Sequence, residues 1–588
     1  MEARKPLDVG NGVVAASFAP SGSWLSLAAF HARHGTVELT NLPRFDERLR
    51  GKPDAVRRYR SLMTEERFAF LVADVKREES ASLAACHTAD HTITQVWRLA
   101  APGSLVLRFR GRLAPPNLLE ITEVSPLPPV RAETVLSAEG ATLELAAPRL
   151  PAAARIAVAA PGAEVDSWRL EDDGATIALA WTDALELRVA VALAERLCDE
   201  SPQTRSHAPA PASARASGRL WVHDTRLHVP ARHRDALARI AGGAVEYVTG
   251  CTQLRAGPRE ACLLTDHRLL PLSWTRDAYY QALLLLTAGE PAQVQIVADH
   301  LRWLFGRCRR VGGVWQRSHL PNGEPKDWAF QADQQLYPVL ELVDFRDAVG
   351  LWPDPPPGRG WGELVDAVWR ALPITPEGLV HSEENPADDP ALPYALSTQI
   401  LLWYVTRRLA RVGGELGLKE PALTGAAERT RSTVEELFAA DVPVAPLWAY
   451  EIDGRGERRL YADANDLPTA LAPAWGFCKP DDERWLGTMR FAFDEANPAY
   501  RPGPWGGLGS LHTPGTWPLG DIQQWVAGSL AGDDVGAERA LDRLTGVASP
   551  DGLLPEAYDP ETGVWTARHW FAWPAAAAGA FAIASLRG

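Results

Sequence analysis

No stretch of the 588-residue chain is long and apolar enough to span a bilayer. Basic residues occur early, but Asp8 interrupts the segment behind them and no apolar core precedes a small-residue cleavage site. No leader is therefore expected, and the chain reads as cytoplasmic. No Cys-x-x-Cys pair exists among Cys86, Cys198, Cys251, Cys262, Cys308 and Cys478, which excludes the usual structural zinc pattern and a disulfide framework. There is no long basic run, and the net charge of -14 argues against nucleic acid and for an uncharged ligand. Methionine is scarce, at three, whereas tryptophan is abundant, at 22. With 46% hydrophobic residues, the chain can build large cores and two or more domains.

Two halves differ in pattern. Residues 1–205 carry short runs such as Ser104–Leu113, Thr142–Ala146, Ile156–Ala160 and Ala184–Leu193, broken by Gly, Pro and Asp, which predicts an antiparallel β-sandwich. Arg108, Arg110 and Arg112, two apart, fit one solvated strand face. Residues 206–240 open in a Ser-, Ala-, Pro- and Arg-rich stretch and are expected to link or wrap. Residues 241–588 show helical periodicity, in Arg276–Leu286, Glu290–Phe305, Gln331–Phe345, Gly362–Ala371, Leu392–Val412, Ala426–Ala439, Gln523–Ala531 and Phe571–Leu586. The connections are long and rich in Trp, Asp, Gly and Pro, so paired helices with a cleft built from loops are expected.

The chemistry sits in those loops. Trp274, Arg276 and Asp277 stand at a helix start, where an arginine–carboxylate pair either grips a polyol or forms a structural cap. Asp333 lies in the first turn of a later helix. His381 to Pro390 packs Glu383, Glu384, Asp388 and Asp389 between prolines before an apolar helix; like-charged neighbours can keep one such acid protonated for proton donation. Asp463 and Asn465 occupy a turn that backbone capping alone would also explain. Gly506, Gly507 and Gly509 lack phosphate-loop spacing. His512 has no partner at metal-ligand spacing, so neither metal nor cofactor is expected, and a hydrogen bond to a sugar hydroxyl suits it better. Glu556 lies in a turn-rich loop, followed by Arg568, Trp570, Phe571 and Trp573. A loop carboxylate backed by aromatic rings is an arrangement that sugar chemistry needs, since flat rings suit carbohydrate faces.

Taken together and in order, these segments resemble glycoside hydrolase family 125, the exo-acting α-mannosidases, and more loosely the glucoamylases and other inverting (α/α)6-barrel glycosidases. The pieces are Trp274–Asp277, Asp333, Asp388–Asp389, Asp463–Asn465 with Pro468, Arg490 with Asn497–Pro498, Gly507–Thr513 with Trp517–Pro518, and Glu556 with Thr566–Trp573, over roughly residues 262–586. The resemblance implies an (α/α)6 barrel and metal-independent hydrolysis with inversion, removing a terminal α-linked mannose. It implies Glu556 as base and one of Asp388–Asp389 as acid, with Glu384 or Glu383 in reserve. Trp274, Arg276, Asp277, Asp333, Asp463, Asn465, His512, Thr513, Trp517, Arg568 and Trp570 are then expected to bind substrate. Two departures stand out: Ala557–Tyr558 follows the base where the family has a bulkier, Ser- or Phe-bearing segment, and Gln331 stands where the family has an acid. An α-glucosidase of the glucoamylase or debranching type and a non-catalytic carbohydrate-binding protein are the competing readings.

Overall fold

The computed structural model describes residues 7–18, 24–31, 35–40, 74–75, 81–89, 92–99, 103–110, 131–137, 140–146, 153–161, 164–171, 174–182, 185–193, 215–267, 270–389, 392–441, 445–566 and 571–587. Arg112, Arg568 and Trp570 lie outside them.

The N-terminal half is strand-rich and antiparallel, as the alternating pattern predicts. One four-stranded sheet starts with β1 (Leu7–Gly10) and β2 (Val14–Phe18) and continues through Trp24–His31 and Gly35–Thr40. A six-stranded sheet runs in spatial order Ala81–Ala89, Thr92–Leu99, Leu185–Leu193, Ala153–Ala159, Gly140–Ala146, Arg131–Ser137. A second four-stranded sheet orders Glu164–Glu171, Gly174–Trp181, Gly103–Arg110 and Asp74–Val75.

Among the described residues the C-terminal half holds twelve α-helices. They are α1 (Arg234–Tyr247), α2 (Thr275–Ala288), α3 (Pro291–Arg302), α4 (Asp333–Val349), α5 (Trp361–Ala371), α6 (Leu396–Leu416), α7 (Glu420–Leu437), α8 (Leu467–Trp475), α9 (Glu483–Ala492), α10 (Pro518–Ala531), α11 (Asp534–Val547) and α12 (Ala572–Arg587). The first begins within the stretch expected to wrap. Every second helix is buried nearly all round: in α2, Thr275 to Thr287 are all buried, and Leu467 to Pro473 are all buried in α8. These inner helices touch in the sequence α2, α4, α6, α8, α10, α12 and back to α2, which closes a ring. The outer helices bury one stripe only; α5 buries Trp361, Leu364, Val365 and Val368, the spacing of one helical face. An inner helix is buried on every side because it packs against two ring neighbours and an outer partner, and buried polar groups such as Gln335 and Asp344 of α4 are hydrogen-bonded. None of the described helices is long and apolar enough to cross a membrane.

Small residues set the closest approaches. A side chain on Gly579 of α12 would press on Leu284 of α2 and Ala241 of α1. One on Gly243 of α1 would run into the backbone carbonyl of Asp551, at the start of the loop that carries Glu556. The strand hairpin also docks on the barrel: the Gly12 carbonyl accepts from the Arg255 amide at 2.8 Å. Ser17 Oγ donates to Asp8 Oδ1 at 2.6 Å and stands 2.8 Å from His267 Nε2, whose Nδ1 is 3.0 Å from the Tyr247 hydroxyl.

Candidate active site

Each inner helix is entered from a loop, and all six loops hold the residues singled out above. The helix starts bring their partly positive ends to this side of the ring, a favourable setting for carboxylates. Five of the six inner helices leave the other side through a left-handed glycine, at Gly289, Gly350, Gly417, Gly476 and Gly532.

Arg276, in the first turn of α2, is the hub of one half of the site. Its Nη1 donates to Asp333 Oδ2 at 2.8 Å, its Nη2 reaches Asp388 Oδ1 at 3.4 Å, and Asp277 Oδ1 lies 3.8 Å from its Nε. Its guanidinium sits 5.1 Å from the Trp573 ring centre. Asp277 Oδ2 accepts from Thr265 Oγ1 at 2.6 Å. Burial pushes the Asp277 carboxyl up to about 6, more than Arg276 and Thr265 pull it down. Asp333 is raised for the same reason and also against Arg276. Trp274 Nε1 and Asp277 Oδ1 are buried with no hydrogen-bond partner among the described residues.

The 381–389 loop joins this hub through Gln331. That amide Nε2 donates to Asp388 Oδ1 at 2.7 Å and to Glu384 Oε2 at 3.2 Å, while Arg317 Nη1 pairs with Glu384 Oε2 at 3.0 Å. Asp388 has φ 61°, the left-handed region, and is the only non-glycine among the described residues to do so. Strain of this kind persists where the surroundings over-determine it. Burial raises the Asp388 carboxyl, but Arg276, Arg317, Gln331 and His512 outweigh it and hold it below the ordinary carboxylate range. For Asp388 this reverses the expectation that a like-charged neighbour keeps an acid of this loop protonated, because the sequence did not show that two arginines converge there; at Glu384 the neighbouring Asp388 does push the carboxyl up, alongside burial. Glu384 is raised, chiefly by burial. Glu383 is exposed and accepts from the Phe330 amide at 3.0 Å. Asp389 follows Asp388, its amide held by Asn385 Oδ1 at 3.2 Å.

Glu556 anchors the other half. It is 9% exposed, and its Oε1 accepts from Thr513 Oγ1 at 3.2 Å. Its loop is tied to the α10 loop by the reciprocal backbone pair Thr516–Tyr558, both at 2.9 Å, and Tyr558 donates to Asp521 Oδ2 at 2.5 Å. Arg543 Nε pairs with Asp521 Oδ1 at 2.7 Å. His512 Nε2 lies 3.8 Å from Glu556 Oε1, and its Nδ1 is 2.9 Å from Ser510 Oγ. Ser510 Oγ donates to Asp463 Oδ2 at 2.8 Å, and Asp463 Oδ1 accepts from the Asn465 amide and side chain at 2.9 and 2.7 Å. Trp517 is 2% exposed; its ring meets the His512 ring edge-on at 5.0 Å and its Nε1 donates to the Thr513 carbonyl at 3.0 Å. It is a wall behind His512, with no open face. Trp303, Trp315, Trp403, Trp485, Trp525 and Trp573 are likewise fully buried, whereas Trp328 is exposed.

The structure thus gathers Arg276, Asp277, Asp333, Asp388, Asp463, Asn465, His512, Thr513 and Glu556 at one end of the ring. Both Asp388 and Glu556 act electrostatically on His512, which links the two halves. Gln331, Arg317, Thr265, Ser510 and Trp573 were not among the candidate site residues. Gln331 was visible in sequence only as a departure and Trp573 only as one of the rings behind Glu556; Ser510 stands two residues from His512, whereas Thr265 and Arg317 meet partners 12 and 67 residues away.

Residues 364–583 match the profile of the metal-independent α-mannosidases, GH125. The resemblance read from the sequence began earlier, so Trp274–Asp277 and Asp333 precede the matched segment. A meiotically up-regulated gene 157 protein of Schizosaccharomyces pombe is 27% identical over 222 residues, covering 36% of this chain and 43% of that protein, so the chain spans less than half the length of this relative. A metal-independent α-mannosidase of Streptococcus pneumoniae, solved with α-1,6-mannobiose, superposes with a TM-score of 0.50 at 18% identity, over 61% of this chain and 95% of that one. A bacterial glucoamylase solved with acarbose superposes with a TM-score of 0.52 at 11% identity, over 100% of this chain and 94% of that one. At these identities the likeness shows the fold, a glucoamylase-like (α/α)6 barrel.

Proposed function

Proceeding from the match of residues 364–583 to the metal-independent α-mannosidases, we propose that this protein is an inverting, exo-acting glycoside hydrolase that removes a terminal α-linked mannose. The observation that carries the reading is that two acidic centres on different loops, Glu556 at 3.8 Å and Asp388 through its charge, act on His512 at the end of the ring where all six inner helices begin. Single displacement needs two carboxyls about 6.5–9.5 Å apart with a water between base and sugar. In this reading Glu556 takes the proton from that water as its oxygen attacks the anomeric carbon, and an acid of the Asp388–Asp389 pair protonates the departing glycosidic oxygen. Arg276, Asp277 and Asp333 grip the sugar hydroxyls with charge-assisted hydrogen bonds, and the buried polar atoms of Trp274 and Asp277 without partners are satisfied by a polyol. The residues of 1–205 form the accompanying β-domain, and the barrel follows the wrapping segment.

Proton NMR during hydrolysis of α-linked mannose and glucose disaccharides tests this reading. Release of β-mannose as first product supports it. Cleavage of glucosides alone transfers the site to the glucoamylase type, and retention of configuration or an unchanged rate in Glu556→Gln removes the assigned mechanism.

A further inference from the structure

His512 is expected from sequence to hold a sugar hydroxyl, but its surroundings give it other work. Asp463 collects the Ser510 hydroxyl proton, so the Ser510 oxygen is left to accept from His512 Nδ1, which must carry a hydrogen. The opposite nitrogen, Nε2, then faces Glu556 Oε1 at 3.8 Å. A neutral ring in that tautomer would turn a lone pair toward a carboxylate; an imidazolium turns an N–H toward it. Trp517 closes one side of the ring edge-on, so the imidazole has little freedom to swing elsewhere. The charged groups around it come from three loops: Asp463 before α8, Glu556 before α12 and Asp388 before α6. Burial disfavours the charged ring, yet these carboxylates together hold its pKa above the ordinary histidine value.

We propose that His512 is a positioning residue for Glu556: braced by Ser510 and Asp463, it keeps that carboxylate ionised and aimed, and does not serve as a sugar-gripping group. The proposal rests on the reading of Glu556 as base. An imidazolium beside a carboxylate favours the charged form of both, so a neutral replacement makes the base harder to ionise.

Two measurements on the full chain test it. The first follows the His512 ring by NMR titration in wild type, Glu556→Gln and Ser510→Ala. The wild-type ring should titrate above about 6.5 and move down in both variants; a ring that titrates at or below that value, or that ignores both substitutions, overturns the relay. This arm does not depend on turnover. The second compares His512→Ala and His512→Gln on an aryl α-mannoside. The alanine variant should lose about 10–100-fold in kcat while KM changes less than about 3-fold. The acidic limb of kcat/KM should shift to higher pH by about one unit or more. Glutamine, which restores an N–H donor but no charge, should recover part of kcat and none of the shift. A raised KM with kcat and pH profile intact would make His512 a sugar ligand and end the proposal. Retained wild-type rate in Glu556→Gln would instead bring down the assignment of the base, whatever the titration shows.

Discussion

Replacing Asp277 with asparagine should make the protein more stable, relative to wild type, as the pH rises. Asp277 is buried in the first turn of α2, and its carboxyl is pushed up from 3.8 to about 6, burial outweighing the help of Arg276 and Thr265. Between those two values the folded chain holds a proton that the unfolded chain has released. The contribution of this group is therefore most favourable below about 3.8 and is lost as pH rises through about 6. The gap corresponds to about 3 kcal/mol. Asparagine keeps an oxygen to accept from Thr265 but does not ionise, so it escapes the loss. Its other effects, including an amide near Arg276, do not change with pH and cancel when the variant is compared with wild type across a pH series. For a cooperative unit of ~350 residues, about 3 kcal/mol is about 4 °C in Tm. The difference in melting temperature, variant minus wild type, should climb by about that amount between pH 4 and 7, while mannoside hydrolysis falls. A difference that stays flat over that range would mean that Asp277 ionises as readily in the fold as outside it, and the argument from burial would be wrong.

The same contacts set other expectations. Arg276→Met strands Asp333, Asp388 and Asp277 without their shared cation; it should cost about 3–5 kcal/mol in denaturant titration, and a loss under about 1 kcal/mol would show the carboxylates are solvated. Asp388→Asn and Asp389→Asn should be compared on mannosides with good and poor leaving groups. The variant that lacks the proton donor keeps cleaving the dinitrophenyl glycoside while losing the methyl glycoside by about 100-fold or more; equal losses on both in both variants would move the acid out of this pair. Gly243→Ala presses on the Asp551 carbonyl and should lower kcat by displacing the Glu556 loop, with a Tm drop on melting; unchanged kinetics would show that the loop can give way at no cost.

Much of the ring was legible because inner and outer helices differ in pattern. The periodic segments around Arg276–Leu286, Gln331–Phe345 and Leu392–Val412 became α2, α4 and α6. What escaped was α8, which carries Pro468 and Pro473 and reads as a turn, and the polar outer helices α9 and α11. Proline at the first turn costs no hydrogen bond, and packing on all sides sustains the rest. The loop carboxylates were legible as types, but their charge states were not. The Asp388 carboxyl is held below its ordinary range because Arg276, 112 residues earlier, and Arg317 act on it, and no local pattern reports a pairing of that range. His512 was read alone, although Ser510 two residues before it and Asp463 forty-seven before that decide its orientation.

The strand hairpin of β1 and β2 bears on how the barrel is best handled in the laboratory. Asp8 and Ser17 meet His267, and two residues away Thr265 both donates to Asp277 and, through its carbonyl, receives the Ala572 amide that opens α12. A helical fragment trimmed of the strands would leave the His267 imidazole with Tyr247 but without Asp8 and Ser17, two residues from the hydroxyl that donates to Asp277. Excising the first half would thus disturb the helical half from the rear, and the β1–β2 hairpin is best kept with the barrel.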